Sequence, residues 1–167
     1  MEPLIALVVV TLILRTAGAA GIPRLRAWQT ALRGGLAAMF VLTGTAHFVG
    51  MRAELIDMVP PILPAPALLI TVTGVLELAG AAGLLWSRTA PWAAGGLALM
   101  LVAMFPANVY SALADVTTSA MDELVPRTLM QVVFVTAALT VATPLHVRWR
   151  TRRDAPRRTA PVLTSPR

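Results

Sequence analysis

"ALLITVTGVLELAGAAGLLW", residues 67–86, carries a single ionisable side chain, Glu77. An α-helix needs about 20 largely apolar residues to cross the hydrocarbon core of a bilayer. The stretch therefore reads as a membrane span, and it places an acid where an ionised side chain is expensive.

The rest of the chain supports that reading. Of its 167 residues 57% are hydrophobic, the mean hydropathy is +0.74, and only 13% are charged. A soluble domain carries about a quarter charged residues. Four further apolar runs, at 4–22, 32–50, 91–113 and 128–147, have similar lengths. Five segments joined by short charged loops predict an all-α, polytopic transmembrane helical bundle. The first run is interrupted by Arg15 and ends in "AGAAG", residues 17–21, which also fits a cleavable signal peptide. A signal peptide opens with positive charge, whereas only Glu2 precedes this run, so a retained helix is expected.

Charge orients the segments. All 14 basic residues are Arg, and the net charge is +6. Arg24, Arg26 and Arg33 follow or open one end, Arg88 follows the third segment, and seven more Arg lie in the tail after residue 147. The opposite loops hold Glu54 and Asp57 with Arg52, then Asp115, Asp122 and Glu123 with Arg127. The positive-inside rule then puts the N-terminus outside and the C-terminus in the cytoplasm. Trp28, Trp86, Trp92 and Trp149 all fall at the inner boundary, where indoles prefer to lie. The basic clusters flank spans, so anionic lipid rather than nucleic acid is the expected partner.

Three regions follow: an N-terminal helix and basic loop at 1–31, a four-helix domain at 32–147, and an Arg/Pro-rich cytoplasmic tail at 148–167. The tail has too little apolar content to fold alone. The outer loop "GMRAELIDMVPPILPAP", residues 50–66, is expected to form a short interfacial helix over 51–59 with Arg52 and Glu54 towards water. Its four prolines then impose extended or turn geometry.

Four polar groups mark the outer half of the bundle: His47 and Thr43 in the second segment, Glu77 in the third, and Asn108 in the fourth. Gln131 lies near the outer end of the fifth. At about 1.5 Å per residue, His47 and Asn108 share a shallow depth and Glu77 lies roughly two turns deeper. Thr43, one turn from His47, can bridge the gap. Pro106 frees the carbonyl of Val102 and bends its helix, and Asn108 or water can answer that carbonyl. Two roles stay open for Glu77: a protonated carboxyl that joins helices, or an acid that handles protons or a ligand. Gly74, Gly80 and Gly83 are read as packing positions.

The chain has no cysteine, which excludes disulfides, iron–sulfur clusters and thiol-based metal sites. The two histidines, His47 and His146, fall on opposite sides of the membrane in this topology, which argues against an intrachain bis-histidine haem. No zinc ligand set, Ser–His–Asp arrangement, phosphate loop or dinucleotide fingerprint is present.

The succession "GLAAMFVLTGTAHF", "MVPPILPAP", "TGVLELAGAAGLL" and "FPANVY" resembles the DoxX family of small bacterial membrane proteins, over residues 33 to about 147. The resemblance implies a four-helix membrane core to which the first segment is an addition. It also implies polar membrane positions at His47, Glu77 and Asn108. Members are named for a subunit of a thiosulfate:quinone oxidoreductase, and relatives are linked to membrane redox or thiol-stress complexes. The expectation is an accessory, quinone-linked subunit of a bacterial plasma membrane, working with a soluble or membrane redox partner. His47 would hydrogen-bond a quinone carbonyl and Glu77 would exchange the proton. The alternative is a non-catalytic scaffold or small-molecule permeation module, with the Arg-rich tail as its docking element. A homo-oligomer is compatible with either.

Overall fold

The computed structural model describes residues 1–113 and 124–143. Among these, all regular structure is helical. The order is α1 (Glu2–Ala19), a 3-10 turn (Pro23–Leu25), α2 (Trp28–Ala46), α3 (Arg52–Asp57), α4 (Pro66–Leu85), α5 (Ala90–Leu113) and α6 (Leu124–Ala142). Expectations about Asp115, Asp122, Glu123, His146, Trp149 and the Arg-rich tail fall outside the described residues.

Proline sets several helix starts. Pro66 opens α4, Pro91 is the second residue of α5, and Pro126 is the third of α6. In a first turn the missing N–H would have had no intrahelical acceptor, so these prolines cost no bond. Ala65, just before α4, takes left-handed torsion angles (φ 52°, ψ 58°), an uncommon conformation for a residue with a Cβ.

The helices form a closed ring: α2 packs on α4, α4 on α5, α5 on α6, and α6 returns to α2. Helix α1 lies against α2 alone among the long helices with substantial contact. That seam is tight, because a Cβ added at Gly35 would sit 2.0 Å from Thr11 Oγ1 and 2.6 Å from the Leu7 carbonyl oxygen. Leu36, Met39 and Phe40 of α2, Ala81 and Leu84 of α4, Ala94 and Leu97 of α5, and Val141 of α6 make the central core.

Among the described residues four helices, α1, α4, α5 and α6, are long and apolar enough to cross a membrane. Helix α2 is less apolar, with Gln29, Arg33, Gly34 and Gly35 in its first half, yet it is the most enclosed. A helix with protein on several sides is shaped by packing, whereas its neighbours must be apolar towards lipid. Accordingly, Ile5, Val9, Leu12, Leu68, Val72, Val75, Leu99, Leu129 and Val132 all face outwards. An apolar surface this extensive belongs in lipid. The chain is a multi-pass membrane protein built as an all-α transmembrane bundle.

Arginines fasten the ends of the ring. The Arg33 guanidinium donates from Nε and Nη2 to the Leu84 carbonyl (2.9 and 2.8 Å) and from Nη2 to that of Leu85 (3.0 Å). It thus satisfies carbonyls at the α4 C-terminus that have no intrahelical donor, and its charge opposes the negative end of the helix dipole. The start of α2 therefore adjoins the end of α4, and exposed Trp28, Trp86 and Trp92 gather at that end of the bundle. Arg15 donates to the Arg26 carbonyl, in the loop at the same end.

At the other end α3 forms as the outer loop suggested, and Glu54 is exposed. Arg52 instead turns inwards. It donates to the His47 carbonyl (3.0 Å) and to Thr71 Oγ1 (3.0 Å), tying the end of α2 to the first turns of α4. With the Ala67 carbonyl (3.3 Å), three protein acceptors take the place of water around part of the guanidinium.

Candidate functional site

His47 is the first residue beyond α2, and its position follows from glycine. A Cβ on Gly74 would lie 2.6 Å from His47 Cβ and 3.0 Å from its Cγ, so α2 and α4 meet this closely only because Gly74 has no side chain. One turn away, a Cβ on Gly44 would lie 2.9 Å from Leu78 Cγ and 3.1 Å from Glu77 Cβ. The two glycines, one from each helix, draw His47 and Glu77 into a common seam.

There His47 and Glu77 are 3% and 4% exposed, and Nδ1 of His47 lies 3.9 Å from Glu77 Oε2. Nδ1 is also 2.9 Å from the Thr43 carbonyl oxygen, one turn back on α2. The Thr43 hydroxyl faces the Glu77 carboxyl without closing a hydrogen bond to it. Thr43 Oγ1, His47 Nε2 and Glu77 Oε2 are all buried and have no hydrogen-bond partner among the described residues. Buried polar atoms are nearly always satisfied, so three orphans on touching residues are unusual.

Glu77 is closer to His47 than two turns. The expected depth took α2 to run to residue 50, but it ends at Ala46. With His47 level with Gly74, the end of α2 sits about 12 Å inside the start of α4, and Glu77 is about one turn deeper than His47. The residues of α3 and the proline-rich segment, joined through Arg52, lie over that end.

The structure brings together Thr43, His47 and Glu77 and places Asn108 elsewhere. Close approaches of Gly80 to Leu97 and Gly83 to Ala93 set the α4–α5 register. By that register Asn108 lies about 8 Å nearer the outer end than His47. Its Oδ1 accepts from Arg127 Nη1 of α6 at 3.3 Å, and the same nitrogen lies 4.0 Å from Met58 Sδ in the outer loop. Pro106 is inside α5, which continues past it. Support near the proline comes from Gln131 of α6, whose amide donates to the Leu101 carbonyl, the neighbour of Val102. Gln131 was visible in the sequence as a polar residue in a span, but nothing there linked it to the proline.

Ser111, near the end of α5, is fully buried, and its hydroxyl also has no partner among the described residues. Among the described residues no group of three His, Cys, Asp or Glu side chains gathers to hold a metal ion. What the His47–Glu77 pair can do chemically is hold, exchange or share a proton with a group placed against its unpartnered atoms.

A family model described as a domain of unknown function, DUF8561, matches residues 36–142, from the third turn of α2 to the end of α6. No curated protein and no solved structure matches the chain.

Proposed function

The chain belongs to the DUF8561 family, and from its buried His47–Glu77 pair we propose that it is an accessory, quinone-linked redox subunit of a bacterial plasma membrane, of the DoxX type. The N-terminus lies outside and the C-terminus in the cytoplasm. A quinone head group sits beside His47 and Glu77 beneath the outer loop, and Glu77 exchanges the proton that accompanies quinone reduction. Electrons and any sulfur chemistry belong to a partner protein, since this chain has no cysteine. The observation that carries the reading is the buried His47–Glu77 pair, 3.9 Å apart, with unpartnered atoms on both residues.

The test is purification in native lipid followed by quinone extraction, with quinone reduction measured in a deletion strain complemented by the native protein, Glu77→Gln or His47→Ala. Bound quinone and loss of reduction in both variants are expected. Protein free of quinone, with reduction unchanged by deletion, refutes the redox reading.

The second reading is a non-catalytic scaffold in which the pair joins α2 to α4. It is favoured by the position of the pair between Gly44 and Gly74, in the tightest part of that seam. Under it, Glu77→Gln leaves the phenotype intact while deletion of residues 148–167 abolishes capture of the partner.

A further inference from the structure

The donor and acceptor inventory of the Thr43–His47–Glu77 cluster selects among ligand chemistries. A carbonyl oxygen can only accept, so in the bond to Thr43 it is His47 Nδ1 that carries the hydrogen. The second ring nitrogen, Nε2, the Glu77 oxygen Oε2 and the Thr43 hydroxyl are left to something else.

A buried pair avoids the cost of an isolated ion when its net charge is zero. Two arrangements meet that condition. With neutral His47 and protonated Glu77, Nε2 accepts and the carboxyl donates. With imidazolium and carboxylate, Nε2 donates and Oε2 accepts. Each arrangement leaves one donor and one acceptor on the His47–Glu77 pair, and the Thr43 hydroxyl can supply either. A ketone or quinone carbonyl only accepts and an ammonium only donates, so either answers half of the pair. A hydroxyl does both, and it fits both proton arrangements by turning its hydrogen.

Size agrees with this. The two side chains are 4% and 5% exposed, and Gly44 and Gly74 hold the helices too close for an added methyl. The unpartnered atoms are buried on touching residues, so the guest reaches them as a small group.

We infer that this cluster is a hydroxyl-binding site, taking either a water molecule or the O–H group of a membrane-soluble alcohol or phenol. The inference deepens the reading of the pair as a proton-handling site. It predicts that the hydroxyl form of a ligand binds better than its carbonyl counterpart. With the hydroxyl in place a proton crosses from Glu77 to His47 without either side chain moving. The carboxyl O–H breaks as the guest oxygen takes that hydrogen, and the guest's own hydrogen passes to Nε2. The guest is unchanged in composition, with carboxylate on one side and imidazolium on the other.

The test uses the full chain with ¹⁵N-labelled histidine in lipid nanodiscs, the His47 signal being assigned with His146→Gln. Phenol and anisole are the probes, matched in shape except that anisole has no O–H. Phenol is expected to shift the His47 Nε2 resonance, and anisole to do so about tenfold more weakly, the loss of roughly one hydrogen bond. If the source is water, Nε2 shows an exchange cross-peak with solvent before any probe is added, and phenol adds nothing. Either result supports the site and identifies its occupant. Equal shifts from both probes, or no shift and no solvent cross-peak, overturn it. Glu77→Leu should abolish the phenol response. If that variant does not fold, the phenol–anisole contrast on the native chain decides alone. Purified protein without quinone, with reduction unchanged by deletion, refutes the redox reading and leaves this comparison standing.

Discussion

Replacing Gly74 by alanine should separate α2 from α4, and the size of the effect can be worked from the contacts. Carbon atoms in contact sit about 3.5–4.0 Å apart, and the new methyl would lie 2.6 Å from His47 Cβ and 2.9 Å from Phe48 Cε2. His47 Cβ is fixed to the backbone, so relief requires the helices to part by about 1 Å. Overpacking of this kind costs about 1–3 kcal/mol. Alanine in a helix interior returns about 1 kcal/mol over glycine, which masks part of that cost. Gly96→Ala on α5 is the control, because its methyl would meet nothing within 4 Å. The helix contribution then cancels, and Gly74→Ala should be less stable than Gly96→Ala by about 1–3 kcal/mol. Reversible unfolding in mixed micelles, followed by tryptophan fluorescence, measures the difference. Equal stability of the two variants, with the His47 resonance unmoved, would refute the close α2–α4 register on which the site depends.

Arg33→Ala removes the three hydrogen bonds to the Leu84 and Leu85 carbonyls and should cost about 1–3 kcal/mol in the same unfolding assay, with Arg33→Lys recovering only part because it lacks the planar fork. Ala65→Gly relieves the left-handed torsion angles and should match or exceed the native stability by up to about 1 kcal/mol, against the usual penalty for introducing glycine. A double-mutant cycle between Gln131→Leu and Pro106→Ala should show coupling of about 0.5–1.5 kcal/mol, since removing the proline straightens α5 beside the Leu101 carbonyl and moves the acceptor that Gln131 holds. Additive effects would mean that the glutamine and the proline act independently.

The residues that report environment were legible in the sequence. The long apolar runs, the Trp and Arg at one end, and the prolines after Val59 located the helices and the outer loop, because the solvent, whether lipid or water, acts on each residue separately. Thr43 and His47 could be paired because four residues along one helix is a fixed geometry. Relations between helices were less accessible. Gly74, Gly80 and Gly83 read equally as small packing residues, yet they meet His47, Leu97 and Ala93 in turn, and only the first creates the site. Asn108 was placed by depth alone, whereas its orientation is set by Arg127 across the α5–α6 seam. Arg33 and Arg52 looked like charges seeking water, because the carbonyls that receive them belong to other helices.

Helix α2, with 19 residues, spans about 28 Å, and α5, with 24, about 36 Å. A hydrocarbon core of about 30 Å cannot match both. The lipid beside α2, at exposed Val41 and Leu42, meets a shorter wall than the lipid beside α5. The bilayer must therefore thin on one flank of the protein or the long helix must lean, each at a fraction of a kcal/mol per ångström. The seam that holds Glu77 lies on the shorter side, between α2 with 19 residues and α4 with 20.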